Sequence, residues 1–249
     1  STIEINKKNY SYNIIILCIG RNSNLYNKVF FKNKPIIKNY SQVAITGKVL
    51  HKKNKFNASQ SFLKKGPLAI LPYNDQSFSF VWTFNKKNFD LSTFKIDLKE
   101  KIKKILTKKI DYKIINIKQY PIKLFLSSQY YKGNILSLGE GLNSIHPIAG
   151  QGFNLVLRDI FALSNLVIRN TSLGISVNNS TLFDEFKNIR KSENILTGLA
   201  IDMVNTFFKK NLFFDPFKYK ILDVIGKNKK IQEYSSKISD RGLLNSILF

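Results

Sequence analysis

Gly139-Glu140-Gly141-Leu142-Asn143-Ser144-Ile145-His146-Pro147-Ile148-Ala149-Gly150-Gln151-Gly152-Phe153-Asn154-Leu155-Val156-Leu157-Arg158-Asp159 is the stretch on which the reading of this 249-residue chain turns. A strand candidate, residues 134–138, runs into a first glycine pair. Pro147, Gly150 and Gly152 then break the backbone just before an apolar run with helical spacing at Phe153, Leu157, Ile160 and Leu163. A helix starting at Gly152 presents its first amides and the positive end of its dipole, and glycines beside it let a flat ligand approach the backbone. Neither glycine pair completes a dinucleotide fingerprint, because the third glycine position holds Ser144 after the first pair and Leu155 after the second. From the residues alone, the stretch is either a ligand loop at a helix N-terminus or a tight strand-to-helix turn.

The string has a specific likeness. His146 to Leu155, followed by Leu157-Arg158-Asp159, resembles without a gap the C-terminal flavin loop of the FAD-dependent aromatic hydroxylases of ubiquinone biosynthesis. Residues 62–72, Phe-Leu-Lys-Lys-Gly-Pro-Leu-Ala-Ile-Leu-Pro, resemble a second segment of that family, and Tyr120-Pro121 stands where the family has Phe-Pro-Leu. The resemblance implies a mixed α/β fold. It assigns residues 1–34 and 127–170 to an incomplete FAD-binding domain, 35–126 to a middle, mostly antiparallel substrate sheet, and 171–249 to C-terminal helices.

It also implies a chemistry, hydroxylation of the aromatic ring of a polyprenylated phenol through a C4a-hydroperoxyflavin. FAD is the cofactor, NAD(P)H the electron donor and molecular oxygen the co-substrate, with other ubiquinone-biosynthesis proteins as partners. Carried onto this chain, Pro147 would lie beside the reacting oxygen as the catalytic position, and Gly20, Glu140, Gly150, Gln151, Gly152, Phe153 and Asn154 would bind the cofactor. The amides of Phe153 and Asn154 would face the N1–C2=O edge of the ring. Three departures favour a second reading, a degenerate member acting as a binding or scaffold protein. Ile19 stands where the family has an acid that meets the diphosphate, Glu140 replaces a shorter ribityl ligand, and Asn143 replaces a histidine. His146 is a candidate base that reads more simply as structural, and neither His51 nor His146 has metal-ligand neighbours in sequence.

The rest of the chain is read outward from that loop. Residues 2–5 and 12–19 are expected as two strands around a polar turn, the second buried on both faces with Cys18 an inert interior thiol. Val43, Ile45 and Val49, and then Phe78, Phe80, Trp82 and Phe84, alternate with period two and predict strands. The aromatic stripe reads as core or as a wall of the substrate pocket. A helix is expected over 91–110, strands over 112–117 and 122–126, a helix from Gly152 to about Arg169, and another over 182–208 carrying Phe183, Phe186, Ile189, Arg190, Ile195, Leu199 and Asp202. Phenylalanines and lysines then interleave through residues 207–220, suited to helix packing or a lipid interface.

Net charge is +24, yet only five of the 40 basic residues are arginine, at 21, 158, 169, 190 and 241. Lysines scattered from end to end suit a solvated coat, with peripheral contact to an anionic membrane, better than a nucleic-acid surface. No apolar run reaches the length of a membrane span or signal peptide, so the expected location is the cytoplasm, extending to the inner-membrane surface. Met203 is the sole methionine and the first residue is serine, from which a missing start is expected; the resemblance implies that a Rossmann unit precedes it and that FAD binds weakly without that unit.

Overall fold

The computed structural model describes residues 2–20, 22–30, 32, 34–52, 55, 57–63, 65–88, 90–106, 111–177, 180–209 and 228–242. Two compact units emerge, one from Ser1–Lys38 with Lys123–Phe249, the other Asn39–Ile122.

The second unit is built on an antiparallel sheet. Strand β4 (Ile36–His51) pairs with β7 (Ser77–Asn85), β7 with β6 (Gly66–Asn74), and β6 with β5 (Ser59–Leu63), while β8 (Tyr112–Leu126) flanks β4 on the other side. Helix α2 (Leu91–Ile105) lays Phe94, Leu98, Ile102 and Leu106 on the sheet. They meet Phe78, Phe80, Trp82 and Phe84, each at most 5% exposed. The aromatic stripe is therefore core, and burying each such ring contributes about 1.5–3 kcal/mol. Asp90 caps α2 by accepting from the Thr93 amide at 2.8 Å, and hydrogen bonds from Ser92 and Thr93 hold its carboxyl well below the usual range.

Several expected boundaries change for identifiable reasons. Asn6 and Lys7 take positive φ, 52° and 62°, and their two-residue turn folds Lys8–Ser11 (β2) back on Thr2–Ile5 (β1). The buried strand shrinks to β3, Ile15–Leu17, which lies at the edge of its sheet. Ile16 is 46% exposed and Cys18 is an exposed free cysteine, not an interior one. The two strands expected on either side of Pro121 are one, β8. Among the described residues, the side of β8 away from β4 is paired only through its last two residues, with β11 (Asn143–Ser144). The expected end of α2 at 107–110, and the phenylalanine-lysine segment from 210 onward, lie outside the described residues.

In the first unit β3 pairs in parallel with β10 (Ile135–Ser137), which pairs with β9 (Tyr131–Lys132). Short helix α1 (Asn24–Val29) follows β3, and α3 (Gly152–Ser172), α4 (Ser180–Lys209) and α5 (Lys229–Arg241) complete the unit. Helix α3 starts where the sequence places it, but of the four residues spaced for its apolar face only Leu163 is buried. Leu155, Asp159, Leu163, Leu166 and Asn170 are buried, whereas Phe153, Leu157 and Ile160 are 69%, 47% and 45% exposed. On α4, Ile189 and Leu199 turn outward while Arg190, Glu193 and Asn194 turn in. Apolar spacing alone misplaces part of a face when that face also carries paired polar groups.

Gly66 gives the sharpest test of the sheet. It takes φ +136°, and a Cβ there would overlap the Thr83 carbonyl oxygen, while its own carbonyl accepts from Trp82 Nε1 at 3.2 Å. Gly66→Ala is expected to cost about 2–4 kcal/mol, read by denaturant unfolding through the fluorescence of Trp82, the only tryptophan. An unchanged midpoint would refute this account of the β5–β6 corner.

Candidate functional site

The parallel strands β3 and β10 end side by side, and both loops leaving them carry predicted site residues. Ligands of α/β sheets bind at the carboxyl ends of such strands. After β3, the Gly20 carbonyl accepts from the Ser23 amide at 2.9 Å; after β10, Gly139–Gly141 forms one 3-10 turn. Tyr26 clamps that turn by donating its hydroxyl to the Gly141 carbonyl at 2.6 Å, and its ring lies where a side chain at 141 would go. A Cβ on Gly20 would stand 3.6 Å from Glu140 Oε2, so two predicted cofactor residues, 120 positions apart, face each other in the open.

The second group runs along the entry to α3. His146 is fully buried, and its Nδ1 accepts from the Ile148 amide at 3.1 Å; a ring nitrogen used in this way is a capping group, as the structural reading of His146 expected. Pro147 is exposed and opens a 3-10 turn closed by the Gly150 amide on its carbonyl at 3.0 Å, so that carbonyl already accepts one hydrogen bond. Gly150 is left-handed, φ 63°. Gln151 caps α3, and the first helical bond runs from the Leu155 amide to the Gln151 carbonyl at 3.0 Å. The amides of Gly152, Phe153 and Asn154 thus precede the hydrogen-bond ladder at the positive end of a 21-residue helix. Gly152 itself has no positive φ, and a Cβ on it would meet only Ile145 Cγ1, at 4.0 Å. Among the described residues nothing requires glycine there. Helix α3 also packs against the Gly139–Gly141 turn, so both groups of site residues belong to one neighbourhood of the first unit.

Sequence reasoning missed the polar groups that hold this neighbourhood. Asp159, fully buried, receives Arg190 Nε at 2.6 Å and Asn194 Nδ2 at 3.2 Å, and Asn194 Nδ2 also reaches the Tyr130 hydroxyl at 3.2 Å. Asn143 Nδ2 lies 3.5 Å from the other Asp159 oxygen. Burial pushes the Asp159 carboxyl above its ordinary range, against the pull of Arg190, and pushes the Tyr130 phenol up as well. One residue earlier, Arg158 pairs with Glu193 at 3.1 Å. The signal was present in composition. In a lysine-rich chain, the three arginines whose side chains are described, 158, 169 and 190, all form ion pairs on α3 or α4, where a planar fork outperforms a point charge.

Residues 33–171 match the family described as FAD binding domain, a span that takes in the second unit, β10 and the whole loop with its helix. The chain belongs to the FAD binding domain family. Two relatives carry more specific names. Ubiquinone hydroxylase UbiL of Rhodospirillum rubrum is 26% identical over 181 residues, covering 70% of this chain and 42% of the relative. The 3-demethoxyubiquinol 3-hydroxylase of Escherichia coli is 26% identical over 160 residues, covering 61% and 40%. The chain therefore spans well under half the length of these relatives. Among solved structures, p-nitrophenol 4-monooxygenase PnpA of Pseudomonas putida superposes with a TM-score of 0.73 at 14% identity, covering 92% of this chain and 59% of that one, a likeness of fold. The mixed α/β architecture expected from the loop is that of this FAD-binding fold.

The two loop glycines should behave differently. Gly150→Ala places a side chain at positive φ and is expected to cost about 1 kcal/mol. Gly152→Ala, inside a helix with open space around it, should be neutral or stabilising by up to about 1 kcal/mol. Thermal midpoints of both variants decide this; a loss at Gly152 as large as that at Gly150 would make it a turn residue after all. Asp159→Ala strands Arg190 as a buried unpaired charge and should cost about 3–5 kcal/mol. A denaturant midpoint close to that of the unaltered protein would show that the α3–α4 contact does not depend on the pair.

Proposed function

We propose that this chain acts in an FAD-dependent monooxygenase that hydroxylates the aromatic ring of a polyprenylated phenol in ubiquinone biosynthesis, with NAD(P)H as electron donor. The observation that carries the reading is Gly152, a glycine that the backbone does not need, at the start of a long helix whose first amides precede its hydrogen-bond ladder. An open Cβ position beside amides that precede the helical ladder suits the edge of a planar, electron-rich ring.

FAD fits the described residues in part. Gly150, Gln151, Gly152 and the amides of Phe153 and Asn154 would hold the ring edge, with Gly20 and Glu140 taking the ribityl and diphosphate side. When bound and reduced, the flavin supplies activated oxygen for transfer to a phenol. The protein's own part is electrostatic and positional. Its helix start stabilises negative charge on the ring, the Glu140 carboxylate accepts from a hydroxyl, and exposed Pro147 borders the place where substrate would approach. Among the described residues no helix is long and apolar enough to cross a membrane. Access to an isoprenoid substrate is then peripheral, aided by the lysine-rich surface at about 1 kcal/mol per lysine close to an anionic bilayer. Other ubiquinone-biosynthesis proteins are natural partners in this reading.

One observation supports the second reading, a non-catalytic binding role. Ile19, at the position of the family's acid, packs with Tyr26, Phe30 and Phe125 in an apolar cluster. Titrating the full chain with flavin mononucleotide, which carries only the ring, ribityl chain and one phosphate, separates the two. Saturable quenching of flavin fluorescence is expected, lost in Gly152→Val with little change in thermal midpoint, since a branched side chain would stand between ring and amides. The loss should be about 3 kcal/mol of binding or less. No quenching by the unaltered protein, or equal quenching by Gly152→Val, would turn the assignment toward the scaffold role.

A further inference from the structure

Arg158 and Glu193 form a salt bridge whose side chains are 12% and 5% exposed. Such a pair is an inefficient stabiliser, because desolvation offsets most of its attraction, and burial lowers the basicity of Arg158 despite the carboxylate beside it. Its other contacts show a different use. Arg158 Nη2 donates to Gln151 Oε1 at 3.3 Å, and Nε donates to the Asn154 carbonyl at 3.2 Å. Gln151 Oε1 also accepts from Asn154 Nδ2 at 3.3 Å. A single guanidinium thus ties a carboxylate on α4 to Gln151 and Asn154 in the opening turn of α3. The pair is closed over from a third direction. A Cβ at Gly242, just past α5 with φ +94°, would overlap Glu193 Oε1 and stand 2.7 Å from Arg158 Nη1.

We propose that the Arg158–Glu193 pair, covered by Gly242, is a positioning device that fixes the opening turn of α3, and that the end of α5 thereby sets the geometry in which this turn meets its ligand. The ligand part rests on the flavin reading above; the positioning part does not. A helix start is the part of a helix that frays, and a ligand that meets backbone amides needs them held to within a fraction of an ångström. Arginine presents its donors in a rigid fork, so it can grip Glu193, Gln151 and the Asn154 carbonyl together. Lysine at 158 keeps the charge and can reach one of them at a time.

The test uses the full chain with Arg158→Lys and Gly242→Ala. Arg169→Lys serves as control, altering an ion pair on the same helix that is 52% and 34% exposed. Amide hydrogen exchange at 151–155 and flavin mononucleotide affinity are measured beside the thermal midpoint. In Arg158→Lys and Gly242→Ala, exchange at 151–155 is expected to rise about tenfold and flavin affinity to fall about tenfold, with the sheet of the second unit unchanged and the control altering neither. Unchanged exchange at 151–155 in Arg158→Lys overturns the proposal. So does a rise spread over the whole chain in step with the thermal midpoint, which would make the pair merely structural. If the unaltered protein binds no flavin mononucleotide, the flavin reading fails and exchange alone decides the positioning device. If it binds and the variants bind equally well, the device does not serve the ligand and the proposal falls.

Discussion

The contact on which the first unit depends is the buried carboxylate of Asp159 between Arg190 and Asn194. An isolated carboxylate cannot be taken out of water at tolerable cost, so α3 and α4 are bound to a single register in which the three groups meet. That register points Leu163 and Leu166 into the core with Phe183 and Phe186 of α4, buries Leu155, and leaves Phe153 outside. It also fixes the rotation of α3 about its axis. The direction in which the amides of Gly152 to Asn154 emerge therefore follows from a hydrogen-bond network near the second turn of the helix.

The ligand end of the site obeys a different constraint. Parallel strands β3 and β10 deliver Gly20 and Glu140 to the same edge, and the Tyr26 hydroxyl holds the turn that carries Glu140. Between them the two arrangements provide one acidic group, several glycines and a helix start, with little side-chain bulk. In the proposed flavin reading such a site meets a large flat ligand through backbone more than through side-chain acid–base chemistry. His146 fits that reading, since its Nδ1 accepts from the Ile148 amide and its ring is fully buried.

Much of the second unit was legible in the sequence. Period-two alternation from Ser77 to Asn85 is unambiguous, and the four aromatics on one face pack on the apolar face of α2, because apolar burial is additive and local spacing determines which residues share a side. Motif strings located the loop, its glycines and the start of α3. Failures cluster where polar groups are buried or strands are short. Apolar spacing on α3 chose Phe153, Leu157, Ile160 and Leu163, of which only Leu163 is buried, while Asp159 and Asn170 lie on the inward side. The apolar run before Gly20 suggested a fully buried strand, whereas β3 is an edge strand with Cys18 outside.

By itself, then, the sequence determined the apolar partners within the sheet unit, because those depend on residue type at fixed short spacing, and its motif resemblance determined the family and the mixed α/β class. Tertiary structure alone decided which face of α3 is buried, which glycine is free of backbone duty, and that Arg158 links α4 and the residue after α5 to the helix start. Those outcomes depend on groups that are 35 and 84 positions from Arg158 in the chain, at Glu193 and Gly242. Pairing across such separations is set by three-dimensional register, and no periodicity in one dimension records it.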